Sequence, residues 1–452
     1  MRRIVFKPGE QFAASSINRT GAFNAAALAA ATSIIEEVRA RGDAALRDFT
    51  EKFDGVRPRA FRVPQQAIDE AAGRLDPKTA DALAHAARQI REFHERQKQQ
   101  SWFFVREDGA LVGAKVTPLD SVGIYVPGGR ALYPSSVLMN ALPAAVAGVG
   151  RIVCVTPPTK DGTLDAAILE ACRIAGVTEI YTVGGAQAIG ALAYGTESIK
   201  PVDKITGPGN AYVAAAKKIV SGDVGIDMIA GPSEVCVVAD KTAEPSLVAI
   251  DLMAQAEHDP LAACYLVVFD EAYADAVERE VERHLESSTR AEITAASLAD
   301  QGLVVVCPDR EAALQAVNAI APEHLELHVD HAFDLLGAIR NAGAIFLGAW
   351  TPEAVGDYAA GPNHTLPTGG TARYASPLSV DEFVKKSSVI QYSSQALARD
   401  ADMVTTIARH EGLWAHAMSV EMRKNLLDTG NVYGIEGGDE AGRAAGDGGA
   451  DA

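Results

Sequence analysis

Hydrophobic and polar positions change rhythm four times along this chain. Up to about residue 20 no period holds, and the stretch reads as an arm. Residues 25–41 are alanine-rich and end at Gly42. Asp76-Pro77 then supplies a cap and a proline at the first helical position of a long helix towards Gln97. Leu83, Ala87, Ile90 and the stem of Arg91 keep helical spacing along it, and His85 and His94 read as structural. From about 121, strands over 121–126, 151–156 and 179–183 alternate with helices over 134–149, 164–175 and 186–194, and a further unit covers 203–220. The alternation then repeats, with strands over 235–239, 264–269, 303–307 and 344–347 and helices over 246–258, 272–285 and 311–320. Such alternation predicts parallel sheets covered by helices. After about 378 the texture is helical again, over 380–386, 395–409 and 413–427. Residues 436–452 are Gly/Ala/Asp-rich without apolar pattern and read as a disordered tail.

The expected fold is α/β, with two Rossmann-like parallel-sheet domains, one inserted in the other. The boundaries read as an arm to residue 20, a first α/β domain of 21–124 and 233–378, an inserted domain of 125–232, a helical segment of 379–431 and an acidic tail of 432–452. A length of 452 residues allows that many parts, and 48% hydrophobic with 22% charged residues is a globular balance. A net charge of −18 counts against nucleic acid or an anionic membrane as partner. Met1-Arg2-Arg3 has no apolar stretch behind it, so a signal peptide is not expected and the cytoplasm is. Five cysteines is an odd number, and Cys154, Cys264 and Cys307 sit in apolar, strand-like runs, as buried reduced thiols do. A cysteine nucleophile stays the minor reading.

Candidate chemistry clusters in a few stretches. The GxGxxG dinucleotide fingerprint is absent after the first strand. Three glycine-rich turns at strand ends take its place: Tyr125-Val126-Pro127-Gly128-Gly129, Gly184-Gly185-Ala186-Gln187 and Gly207-Pro208-Gly209-Asn210. Together they predict a nucleotide crevice, since glycine lets backbone approach a ligand and a helix N-terminus favours an anion. On a helix, Gln255 and His258 would share one face. With Asp357 and His416 they make a set of two nitrogens and two oxygens that suits Zn²⁺ in a partly open site. Glu323-His324, after Pro322, offers an acid–base pair on a loop by the sheet edge, while His328 and His331 read as solvated.

In this order these stretches closely resemble the histidinol dehydrogenase family, over about residues 20–430. The resemblance is strongest in the three glycine turns, in Tyr133-Pro134-Ser135-Ser136, Gly231-Pro232-Ser233-Glu234, Gln255-Ala256-Glu257-His258, Pro322-Glu323-His324-Leu325 and Asn363-His364-Thr365-Leu366-Pro367. It implies zinc- and NAD-dependent oxidation of L-histidinol through L-histidinal to L-histidine by an intertwined homodimer. It further implies zinc ligands Gln255, His258, Asp357 and, from the other subunit, His416. Glu323 and His324 match the catalytic pair, Tyr125, Gln187 and Asn210 the NAD contacts, and Ser233 and Glu411 further substrate contacts, beside the zinc ligands and His324. Trp414 departs from the pattern, standing where a small polar residue is usual. The competing readings are a paralogous zinc/NAD dehydrogenase for another small polar alcohol and a zinc hydrolase with Glu323 as base.

Overall fold

The computed structural model describes the chain except Pro8, Gln11, Thr20, residues 129–131, Thr178 and residues 435–452. Gly129 of the first glycine turn and the tail expectation thus lie outside the described residues. The chain opens with strand β1 (Arg2–Val5) and helices α1 (Ala25–Arg41), α2 (Asp43–Asp54), α3 (Gln65–Asp69) and α4 (Pro77–Glu95). A hairpin of β2 (Trp102–Val105) and β3 (Leu111–Pro118) follows. The first α/β block runs β4 (Ser121–Tyr125), α5 (Pro134–Ala147), β5 (Arg151–Thr156), α6 (Ala166–Ala175) and β6 (Glu179–Thr182). It continues through α7 (Gly185–Tyr194), β7 (Lys204–Thr206), α8 (Ala211–Val220) and β8 (Gly225–Ile226). The second block runs β9 (Glu234–Ala239), α9 (Pro245–Ala256), β10 (Ala263–Val268), α10 (Glu271–Leu285), α11 (Ala291–Asp300) and β11 (Leu303–Val306). It closes with α12 (Arg310–Ile320), β12 (His324–His328), β13 (Ala344–Leu347) and α13 (Glu353–Tyr358). Last come β14 (Val384–Gln391), α14 (Ser394–His410) and α15 (Trp414–Thr429).

Two compact units result among the described residues, one of Met1–Lys98 with Pro118–Val384, the other of Gln99–Thr117 with the described chain from Lys385 onwards. The first holds two parallel sheets. In the five-stranded sheet the order is β6-β5-β4-β7-β8, and in the six-stranded one β1-β11-β10-β9-β12-β13. Counted within each block, both run 3-2-1-4-5, so each reverses direction beside its own first strand: between β4 and β7, and between β9 and β12. Such reversals open a crevice between neighbouring strands. Strands β9 to β12 are buried along their whole length, which explains the apolar runs at 235–239, 263–268 and 303–306.

The elements and their packing differ from the expected ones in three places. First, Arg2–Val5 pairs in parallel with Leu303–Val306, so the arm supplies an edge strand. Second, α1 and α4 pack on the β4–β8 sheet rather than on the sheet that carries Glu323 and His324. Leu83, Ala87 and Ile90 join its core on one face, Ala31, Ile34 and Val38 on the other. A parallel sheet needs both faces covered, and these helices complete the two layers. Third, 380–386 is not helical: a 3₁₀ turn, Val380–Phe383, leads into β14. In the second unit β14, β3 and β2 form a small sheet, and α14 and α15 pack as a hairpin tied by Arg409 to Glu421 and Lys424 to Asp402.

Candidate active site

The acid–base pair sits where α12 gives way to β12. Pro322 cannot extend a helix and disfavours helical backbone before it, and Ala321 takes φ 48°, a left-handed conformation costing about 1 kcal/mol without glycine. That turn delivers Glu323 and then His324, the first residue of the strand rather than a loop residue. Both are buried, and both are held by the backbone of Glu234 at the start of β9. Its N–H donates to Glu323 Oε2 at 2.8 Å, and its carbonyl oxygen lies 3.2 Å from His324 Nδ1. A carbonyl only accepts, so the proton sits on Nδ1 and Nε2 keeps its lone pair. That Nε2 is buried with no hydrogen-bond partner. Burial, assisted by the nearby His364 and His258, presses the imidazole down to about 3, and burial raises Glu323 well above the usual carboxylate range. His324 is therefore a neutral acceptor at pH 7. Glu234 is itself fixed by Arg19, which pairs with its carboxylate at 2.8 Å.

Beside the pair lies a crowd of acceptors. Gln255, in the last turn of α9, is fully buried; in the amide orientation that satisfies both ends, its nitrogen donates to the two Glu353 oxygens at 3.2 and 3.1 Å and lies 3.3 Å from His324 Nδ1, its two hydrogens being taken by Glu353. His324, Glu353 and Asp357 offer ligand atoms that all lie within 4.8 Å of one another. Asp357 is half-buried with Oδ1 3.9 Å from His364 Nδ1, and burial pushes its carboxyl up to about 6. Burial also holds Glu353 well above the carboxylate range, reinforced by Asp357, Glu323, Glu326 and Asp251. Carboxylates gathered this closely repel unless a cation lies among them, and imidazole with carboxylate and amide oxygens is a donor set that fits zinc. Helix α9 stops at Ala256, so His258 stands on the turn beyond it, exposed, its N–H bonded to the Gln255 carbonyl at 3.2 Å. Ser233 directly precedes β9. Glu411 and His416 belong to the second unit, where they share a groove of about 650 Å³ with Val404, Ile407 and Ser419. Sequence reasoning passed over Glu353, although its spacing of four from Asp357 on α13 puts both on one helix face. It noted His364 but gave it no role.

The nucleotide turns gather at the reversal between β4 and β7. Tyr125 ends β4, and its buried hydroxyl accepts the Gly185 N–H at 3.1 Å. Gly207 has φ +110°, and a Cβ there would overlap the Tyr125 carbonyl oxygen, so glycine is required. Asn210 caps α8, its Oδ1 accepting from Tyr212 and Val213 at 3.0 and 3.2 Å. Gln187 Oε1 is buried without a partner. An orphaned acceptor beside helix N-termini at a crevice fits a ligand with donors and phosphates, as NAD has.

All five cysteines are free and buried. Burial raises the Cys264 and Cys236 thiols far above neutrality and Cys307 to about 12, the opposite of an activated nucleophile.

A family model described as histidinol dehydrogenase matches residues 17–424. The chain belongs to the histidinol dehydrogenase family. It is 55% identical to the histidinol dehydrogenase of Bacillus subtilis over 87% of this chain and 92% of that protein. With that of Geobacillus kaustophilus it shares 55% over 86% and 92%. The crystal structure of histidinol dehydrogenase from Elizabethkingia anophelis superposes with a TM-score of 0.90 at 36% identity, covering 95% of this chain and 99% of that one. The activity is accordingly the four-electron oxidation of L-histidinol through L-histidinal to L-histidine, in histidine biosynthesis, with NAD and zinc as cofactors. The paralogue and hydrolase readings are not favoured. Among the described residues no helix is long and apolar enough to cross a membrane.

Proposed function

We propose that His324 is the base of both oxidations of histidinol and that Glu323 activates the water between them. The observation that carries this is the Nε2 of His324, buried and unpartnered while Nδ1 faces the Glu234 carbonyl, the tautomer that leaves Nε2 its lone pair. Nε2 removes the proton of the substrate hydroxyl in the first oxidation. The Glu323 carboxylate draws a proton from the water that attacks the aldehyde, and the resulting hydroxide oxygen bonds the carbonyl carbon to give the hydrate. The hydrate's hydroxyl then gives its proton to Nε2 in the second oxidation. NAD takes up two electrons at each oxidation, in the crevice of Tyr125, Gln187 and Asn210. Zinc, when bound by Gln255, His258, Asp357 and His416, anchors the substrate's imidazole and amine, with Ser233 and Glu411 completing the pocket. His324→Ala should lower the rate of both half-reactions by about 10²–10⁴-fold. Rates for histidinol and for added histidinal test it, and a variant that still oxidises histidinal at the parent rate would refute the shared base.

The same reading makes the enzyme a cytoplasmic homodimer that shares its sites. Ile407, Leu413 and Trp414 expose apolar surface on the hairpin that carries Glu411 and His416, and Trp102, Phe103 and Phe104 do so on the small sheet of the same unit. Covering that surface with a second copy would bring His416 to the partner's site.

A further inference from the structure

Three buried titratable groups behind the catalytic pair take no part in the chemistry above. Glu326 and His328 follow His324 at alternate positions of β12, so the three side chains share one face of the strand. Asp251 stands on α9 one turn before Gln255. The expected solvated role for His328 does not hold: it is 3% exposed, Glu326 0% and Asp251 8%. His328 Nε2 lies 3.2 Å from Glu326 Oε2 and 3.4 Å from Asp251 Oδ2, while its Nδ1 has no partner. The imidazole therefore bridges two carboxylates on two elements. The other oxygen of Glu326, Oε1, accepts the backbone N–H of Glu353 at 2.8 Å.

That last bond matters because Glu353 is the first residue of α13. The first N–H groups of a helix have no partner within it, and Pro352, the N-cap residue here, makes no side-chain cap. Glu326 supplies the missing acceptor from another element. Helix α13 spans only six residues and carries Asp357 one turn on, and this cap ties it directly to β12, beside the Gln255 amide on the Glu353 carboxylate. We infer that Glu326, locked by His328 and Asp251, is a positioning residue that fixes α13 and hence Asp357 against His324 and Gln255. The inference rests on reading Asp357 as a zinc ligand. One network thereby joins the three elements, α9, β12 and α13, that each carry a residue of the site. Glu323 and His324 are held separately, by Glu234, so the network governs the metal side and leaves the base in place.

The test uses the zinc-loaded enzyme and measures zinc loss to a chelator together with the kinetic constants for histidinol. Glu326→Leu removes the cap and should speed zinc loss about 10–100-fold, the range for partners that orient metal ligands. It should raise KM for histidinol by a similar factor, while kcat at saturating zinc and substrate stays within about threefold, since one oriented base still operates. Glu326→Gln keeps an oxygen for the Glu353 N–H and should restore zinc retention to within about threefold of the parent. His328→Leu keeps the cap but frees its lock, and gives a smaller acceleration even where Glu326→Leu does not fold. Parent-like zinc loss in the folded Glu326→Leu and His328→Leu enzymes, beside rapid loss in Asp357→Asn, overturns the positioning role alone. Parent-like loss in Asp357→Asn as well overturns the ligand assignment beneath it. A second zinc per chain that disappears in Glu326→Gln would make the cluster a metal site of its own and overturn the inference.

Discussion

His94 shows how much one buried side chain settles. It is 0% exposed, its Nδ1 2.8 Å from the Ile90 carbonyl and its Nε2 3.4 Å from the Asn363 amide, which in turn donates to the Met139 carbonyl at 2.6 Å. Burial lowers its pKa below the ordinary histidine value. The unfolded chain therefore binds a proton near pH 6.5 that the folded chain refuses, so this contribution is complete above that pH and is lost as pH falls below it. Denaturant unfolding between pH 7.5 and 5 should show stability dropping, at up to about 1.4 kcal/mol per pH unit for this group. His94→Met should make the drop shallower, and an unchanged slope would assign it elsewhere. The structural role of His94 was legible from its place on an apolar helix face. That of His328 was not, because a histidine followed by Val329-Asp330-His331 reads as leaving the core, and only the sheet order shows β12 buried between β9 and β13.

At the scale of elements, the glycine turns make the sharpest case. Gly207→Ala would force the turn after β7 away from β4, because both the positive φ and the Tyr125 carbonyl reject a side chain. The expected result is an NAD KM raised about tenfold or more with histidinol KM little changed, since the reversal at β9 and β12 is untouched. Equal changes in both constants would contradict separate crevices. Most parallel strands were readable because strands covered on both faces are continuous apolar runs, whereas β12, His-Leu-Glu-Leu-His, was taken for a loop because its buried polar residues break that pattern. Strands β2, β3 and β14 were missed for the converse reason: Trp102–Val105 is exposed on both faces, and Val384–Gln391 reads Lys-Lys-Ser-Ser at its centre, without alternation. The end of α9 at Ala256 also escaped, since no glycine or proline precedes His258, and the helical spacing assumed for Gln255 and His258 became a turn.

For the whole molecule, two sheets of one topology divide the work. On the proposed reading, the β4–β8 sheet meets NAD where chains of this kind usually bind ligands, at the carboxyl ends of its strands. The β9–β13 sheet instead carries its chemistry at the amino ends, where β9 and β12 begin with Glu234 and His324. The order of motifs was enough to recognise the family, whereas that inversion could only be seen once strands were placed. The proposed sharing of His416 between subunits has a direct consequence. His416→Ala and His324→Ala chains, each inactive alone, should regain on the order of a quarter of parent activity when refolded as an equal mixture, because half the dimers then hold one intact site. No recovery in mixtures shown to contain heterodimer would mean that each chain supplies its own His416.

The division of labour between His324 and Glu323 is the centre of this account, and the most direct test is a single turnover of histidinol by Glu323→Gln with excess NAD. The prediction is one NADH per site at close to the parent rate, with the second slowed about 10²-fold or more and histidinal accumulating on the enzyme. Equal slowing of the first and second NADH would contradict it.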